Sequence, residues 1–117
     1  MITVYGIPNC DTVKKARIWL AAQGLSHTFH DLKKQGVPET KLPTWAKAAG
    51  WDKLINRQGT TWRKLDAALQ ASAATPQGAQ ALLVVNPSVI KRPVVEWPGG
   101  SVTVGFDALR WTEIVTK

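Results

Sequence analysis

The stretch Ile2–Leu20, ITVYGIPNCDTVKKARIWL, changes its hydrophobic period halfway along. Ile2 to Tyr5 is rich in β-branched and aromatic residues and reads as a short strand. Gly6-Ile7-Pro8-Asn9 breaks it with turn chemistry. From Cys10 the apolar positions Val13, Ala16 and Leu20 recur at steps of three and four. Lys14, Lys15 and Arg17 supply a basic side, so this half reads as a helix, which Gly24 stops. Ser26 to Leu32 alternates as a second strand, with Phe29 and Leu32 as core candidates. Two strands joined tightly by a helix form a parallel βαβ unit.

Downstream, Pro38 opens a helix over ETKLPTWAKAAG, with Pro43 in its first turn or dividing it into two pieces, and Gly50 at its end. Asp52 to Gly59 reads as a loop or short helical turn. Thr60 or Thr61 is placed to cap a helix over TWRKLDAALQAS, with Trp62, Leu65 and Leu69 on one stripe. A further helix covers Gln77 to Val85, and Asn86-Pro87-Ser88 stops it. Val94–Trp97 and Ser101–Val104 read as a hairpin about Pro98-Gly99-Gly100. A last helix runs from about Phe106 to Ile114. The order β-α-β, several helices, β-β-α predicts an α/β fold, a four-stranded mixed sheet with a helical insertion at about 38–86 in one domain, 1–117.

Composition narrows the function classes. An apolar fraction of 44% in 117 residues supports a real core. Fifteen Lys and Arg against eight Asp and Glu give a formal charge of +7, which favours anionic partners. No apolar run is long enough to span a membrane. The N-terminus lacks the pattern of a secretory signal, so a reducing cytoplasm is the expected compartment. A single cysteine excludes an intramolecular disulfide. His27 and His30, three apart on a strand, point to opposite faces and make a poor metal pair, so no metal site is expected. The six tryptophans fall mostly on helices, as core or half-buried residues. The chain has neither a phosphate-cradling glycine loop nor a direct nucleic-acid motif.

Cys10 is the principal candidate for chemistry. It follows a strand and a tight turn at the start of a helix, where unpaired N–H groups and the dipole favour a thiolate. Lys14, one turn on, adds positive charge, and Asp11 opposes it. The competing reading is a small apolar cysteine filling the core. Arg92 precedes Pro93, and a cis peptide there would bring a backbone edge beside the sulfur. The guanidinium could then hold an oxyanion or carboxylate at two points. Arg57 lies in a loop with Asn56, Gly59 and Thr60, a composition suited to anion binding.

The blocks YGIPNCDTVKKARIWL, LINRQGTTWRKL, NPSVIKRPVV and VGF together resemble the ArsC/Spx/YffB family, most of all its YffB-like branch, across essentially the whole chain. The resemblance implies a thioredoxin-like fold with a helical insertion. It places the family's nucleophile on Cys10 and its cis proline on Pro93, with Arg92 before it. Glutaredoxin-linked arsenate reductases carry a histidine four residues before the cysteine, where this chain has Gly6. They carry an arginine four residues after it, where this chain has Lys14. Their arginine in the LINRQG block falls on Asn56 or Arg57. The Spx branch binds the C-terminal domain of the RNA polymerase α subunit and often carries C-x-x-C; here Val13 fills the second cysteine's place. The resemblance therefore implies a monothiol oxidoreductase with glutathione as co-substrate and no tightly bound cofactor. Its partner would be glutathione or a thiol protein, and Lys14, Arg57 and Arg92 would hold the anion. An Spx-like regulator and an arsenate reductase are the alternatives.

Overall fold

In the computed structural model, which describes residues 1–116, the opening segment folds as its change of period dictates. β1 (Ile2–Gly6) leads through a turn into α1 (Asp11–Ala22), and β2 (His27–Asp31) returns parallel to β1, Val4 opposite Phe29. Parallel pairing needs a crossover of this length, and α1 supplies it. Val13, Ala16 and Leu20 are the buried stripe of α1. β3 (Val94–Glu96) joins the other edge of β1 antiparallel, and β4 (Val102–Val104) pairs with β3. The result is the expected four-stranded mixed sheet, in the order β2-β1-β3-β4. Lys117, the end of the expected domain, lies outside the described residues.

Strand alternation divides the core in two. Ile2, Val4 and Val95 face α1 and α7 (Ala108–Val115), where Trp97 and Trp111 pack edge to face at 5.0 Å. Tyr5, Val94 and Val104 face the helices inserted between β2 and β3. Those are α2 (Leu42–Ala49), the single turns α3 (Trp51–Leu54) and α4 (Thr60–Lys64), α5 (Ala67–Ser72) and α6 (Pro76–Val85). Pro43 sits in the first turn of α2, after a 3₁₀ turn over Glu39–Lys41. α5 and α6 approach so closely that a Cβ on Gly78 would overlap the Ser72 carbonyl oxygen.

A polar cluster fastens α2 to the sheet. Glu96 on β3 accepts from the Tyr5 hydroxyl at 2.8 Å and from Trp45 Nε1 at 3.1 Å, and it pairs with Lys41 Nζ at 3.1 Å. Tyr5 and Trp45 are both buried, so each buried donor finds its acceptor in one carboxylate.

The single helix expected over residues 61–72 is two. Leu65 is extended (φ −70°, ψ 143°), and Asp66 caps α5 by accepting from the Leu69 N–H at 2.8 Å. Neither Thr60 nor Thr61 caps α4, whose cap position is Gly59. Trp62 and Leu65 pack on the core, but the break turns Leu69 out to 44% exposure, so the expected stripe is interrupted.

Candidate active site

The turn Ile7–Cys10 positions the candidate sulfur. The Cys10 N–H donates to the Ile7 carbonyl at 3.2 Å, and the Cys10 carbonyl accepts the first helical bond from the Lys14 N–H at 2.9 Å. Cys10 is thus the N-cap of α1, with extended dihedrals (φ −90°, ψ 124°). The first turn can settle on β1 because residue 6 has no side chain. A Cβ there would lie 2.8 Å from Cγ2 of the fully buried Val13.

The half-buried thiol is held below the ordinary thiol range. Burial alone pushes it up. No side-chain hydrogen bond caps the helix through the sulfur, but the nearby Val13 N–H, the Arg92 guanidinium with its charge, and the Thr12 N–H together outweigh that effect. Helix start and cation therefore act on one half-buried sulfur.

Arg92 reaches the site from the segment before β3. Its peptide bond to the buried Pro93 is cis, the arrangement the Arg-Pro pair allowed for. Nη1 donates to the Ser88 carbonyl at 2.8 Å, which fixes the guanidinium, while the buried Nε has no protein partner. The segment is tied to the insertion. Ile55 and Ile90 form an antiparallel bridge, the Asn56 N–H donates to the Val89 carbonyl at 2.7 Å, and the Lys91 N–H donates to the Leu54 carbonyl at 2.7 Å.

Sulfur and guanidinium share a cleft of about 240 Å³, lined also by Ile7, Asn9, Lys33, Asn56, Gly59, Thr60, Thr61 and Ser88. Two cations and several hydroxyl and amide groups line it, and among the described residues no carboxylate does, so it suits an anionic or zwitterionic ligand. The loop singled out around Arg57 does form a wall, but through Asn56, Gly59, Thr60 and Thr61. Arg57 is not among the lining residues. Its Nη1 pairs with Asp52 Oδ1 at 3.2 Å and its guanidinium lies 5.3 Å from the Trp62 ring centre. Lys14 is also off this cleft, in a separate depression with Pro8, Arg17, Ile18, Ala21 and His27. The cap explains why: Cys10 has extended backbone, so its side chain does not follow the helical spacing that would align it with Lys14. Lys33 and Ser88 carried no sequence signal, because only the fold brings them to Cys10. Among the described residues, no group of three or more His, Cys, Asp or Glu is placed to hold a metal ion, and no helix is long and apolar enough to cross a membrane.

Three comparisons place the chain among known proteins. The model of the ArsC family matches residues 5–114. A protein of Haemophilus influenzae is 43% identical over 107 residues, 92% of each chain. The solved structure of a YffB protein superposes with a TM-score of 0.90 at 41% identity, covering 97% of both chains. At greater distance, a global transcriptional regulator Spx of Staphylococcus saprophyticus is 23% identical over 97 residues, 81% of this chain and 72% of its own.

Proposed function

Because the chain belongs to the ArsC family and has its thioredoxin-like fold, we propose that it is a thiol oxidoreductase working with glutathione through Cys10 alone. The observation that carries this reading is the pairing of a half-buried sulfur at a helix start with the Arg92 guanidinium in a cation-lined cleft.

The chemistry follows from having one sulfur. The Cys10 thiolate attacks the glutathione sulfur of a mixed disulfide. The bond between that sulfur and the substrate sulfur breaks, the substrate leaves as a thiolate that takes a proton from water, and Cys10 becomes glutathionylated. A second glutathione thiolate attacks the glutathione sulfur on Cys10, releasing glutathione disulfide and restoring the enzyme thiolate. The electron pair of the broken S–S bond leaves on the substrate sulfur, and the incoming glutathione thiolate supplies the pair of the new bond, so the mixed disulfide and one glutathione become substrate thiol and glutathione disulfide. Arg92 and Lys33 are placed to hold glutathione carboxylates, and Asn56, Thr60 and Thr61 to bond its peptide groups. Arg57 and Lys14, which point elsewhere, are not part of this binding set.

Incubation with oxidised glutathione followed by intact-mass measurement tests the proposal. Wild type should gain one glutathionyl group and Cys10→Ser none; a wild-type protein that gains none would end this reading.

The alignment with Spx regulators favours one second reading. In it the fold presents a surface to the C-terminal domain of the RNA polymerase α subunit, and Cys10 serves as a modifiable sensor. A pull-down with that domain separates the two: capture that survives Cys10→Ala supports the regulator, and absence of capture removes it. Arsenate reduction ranks third, because Gly6, Lys14 and Arg57 do not supply oxyanion-holding groups in the cleft.

A further inference from the structure

Beside the Cys10 cleft a second depression, of about 450 Å³, runs along α1. It starts at Pro8, two residues before the reactive sulfur, and continues over Lys14, Arg17, Ile18 and Ala21 to His27. Its floor is apolar. Pro8 and Ala21 are exposed, and Ile18 is 68% exposed, the one large apolar side chain that α1 leaves in solvent. A single exposed isoleucine means little. This one, however, lines the same depression as two cations and Pro8, which lies two residues before the nucleophile.

Those cations are free to act. Among the described residues neither Lys14 nor Arg17 makes an ion pair. Arg17 is also preset: its guanidinium lies 4.2 Å from the Phe29 ring centre and its Nε donates to His27 Nε2 at 3.1 Å. A charge already fixed in place loses little freedom when a partner binds. Lys15 adds a third positive charge on α1, and Asp11 is the only acid on that helix.

We propose that this basic-edged apolar strip seats the polypeptide side of the mixed disulfide, a segment in which the glutathionylated cysteine is flanked by an apolar residue and by carboxylates. The inference rests on the oxidoreductase reading above and names its substrate class. Glutathione occupies the cleft with Arg92, while the protein to which it is attached lies over Pro8 and Ile18. The exchange at Cys10 is the one already written, with the polypeptide cysteine as the leaving thiolate. Complementary charge speeds encounter and excludes wrong partners, and an apolar anchor at the centre holds the segment in register.

The test uses the whole protein, reduced glutathione and three disulfides. Two are peptides of equal length, glutathionylated at cysteine, one flanked by Leu and Glu and the other by Leu and Lys. The third is the disulfide of cysteine with glutathione, too small to reach the strip. Wild type should show kcat/KM about tenfold higher for the acidic peptide than for the basic one. Ile18→Glu should lower the acidic-peptide value about tenfold, Ile18→Ser should fall between, and both should leave the small disulfide unchanged. The uncharged Ile18→Ser separates loss of the apolar anchor from the added negative charge of Ile18→Glu, which by itself weakens an acidic peptide and favours a basic one. Equal rates for the two peptides in wild type, or an Ile18→Glu effect shared by all three substrates, overturns this inference and leaves the oxidoreductase reading standing. No turnover of any of the three overturns both.

Discussion

Glu96→Ala should unravel the fastening of α2 to the sheet, at a cost that can be worked from three contacts. The carboxylate serves Tyr5 OH, Trp45 Nε1 and Lys41 Nζ. Lys41 is 46% exposed, so that ion pair contributes under about 1 kcal/mol. The other two partners are buried donors, each bonded to Glu96, and each costs about 1–3 kcal/mol when orphaned. Glu96 is itself 26% exposed, so water can enter the vacated space and recover part of the loss. The expected destabilisation is therefore about 2–4 kcal/mol. Glu96→Gln keeps one oxygen, which can accept from one of the two donors, and should lose about half as much. Urea denaturation followed by tryptophan emission measures both, since Trp45 leaves a fully buried site on unfolding. In a double-mutant cycle Tyr5→Phe should cost less in the Glu96→Ala background than in wild type, because its donor has already lost its partner.

The same group fixes a pH dependence. Burial raises the Glu96 carboxyl, but the bonds from Trp45, Tyr5 and Lys41 and the Lys41 charge outweigh it and hold the group below the usual carboxylate range. A depressed folded-state value means stability that is present above the unfolded value and lost as pH falls through the folded one. The gap between wild type and Glu96→Gln should thus close on acidification below the ordinary carboxylate range. A Glu96→Ala protein within about 0.5 kcal/mol of wild type, or a Glu96→Gln as damaged as Glu96→Ala, would refute the reasoning.

Alkylation of Cys10 should show a pH midpoint below that of an ordinary thiol, and Arg92→Ala should move it upward; an unmoved midpoint would take the guanidinium out of the account. Gly78→Ala places a methyl against the Ser72 backbone, which cannot move aside as a side-chain tip would. It should destabilise by about 3 kcal/mol or more, and a thermal midpoint equal to wild type would contradict the close approach of α5 and α6.

The parts legible in the sequence are those governed by local period and punctuation. Ile2–Tyr5, the Val13, Ala16, Leu20 stripe and the Pro98-Gly99-Gly100 turn each carry their structure in a few neighbouring residues, and the βαβ unit and hairpin follow. The break at Leu65 is also written locally, in Asp66, a helix-capping residue type that a continuous apolar stripe conceals. Site membership is legible only by segment. The residues around Asn56 do reach the cleft, but which side chain enters it depends on Asp52 and Trp62, which draw Arg57 away. Helical spacing aligns Lys14 with Cys10, yet that spacing begins only after the cap. Lys33 and Ser88 belong to segments far apart in the chain and meet Cys10 solely through sheet order.

The small bridge between Ile55 and Ile90 has a larger reach than its size suggests. It staples one wall of the cleft, contributed by the insertion, to the segment before β3 that delivers Arg92, so neither can shift alone. The inserted helices are therefore part of the jig that aims the guanidinium at the sulfur. Cutting the hook between residues 54–56 and 89–91 would blunt the thiol without touching it.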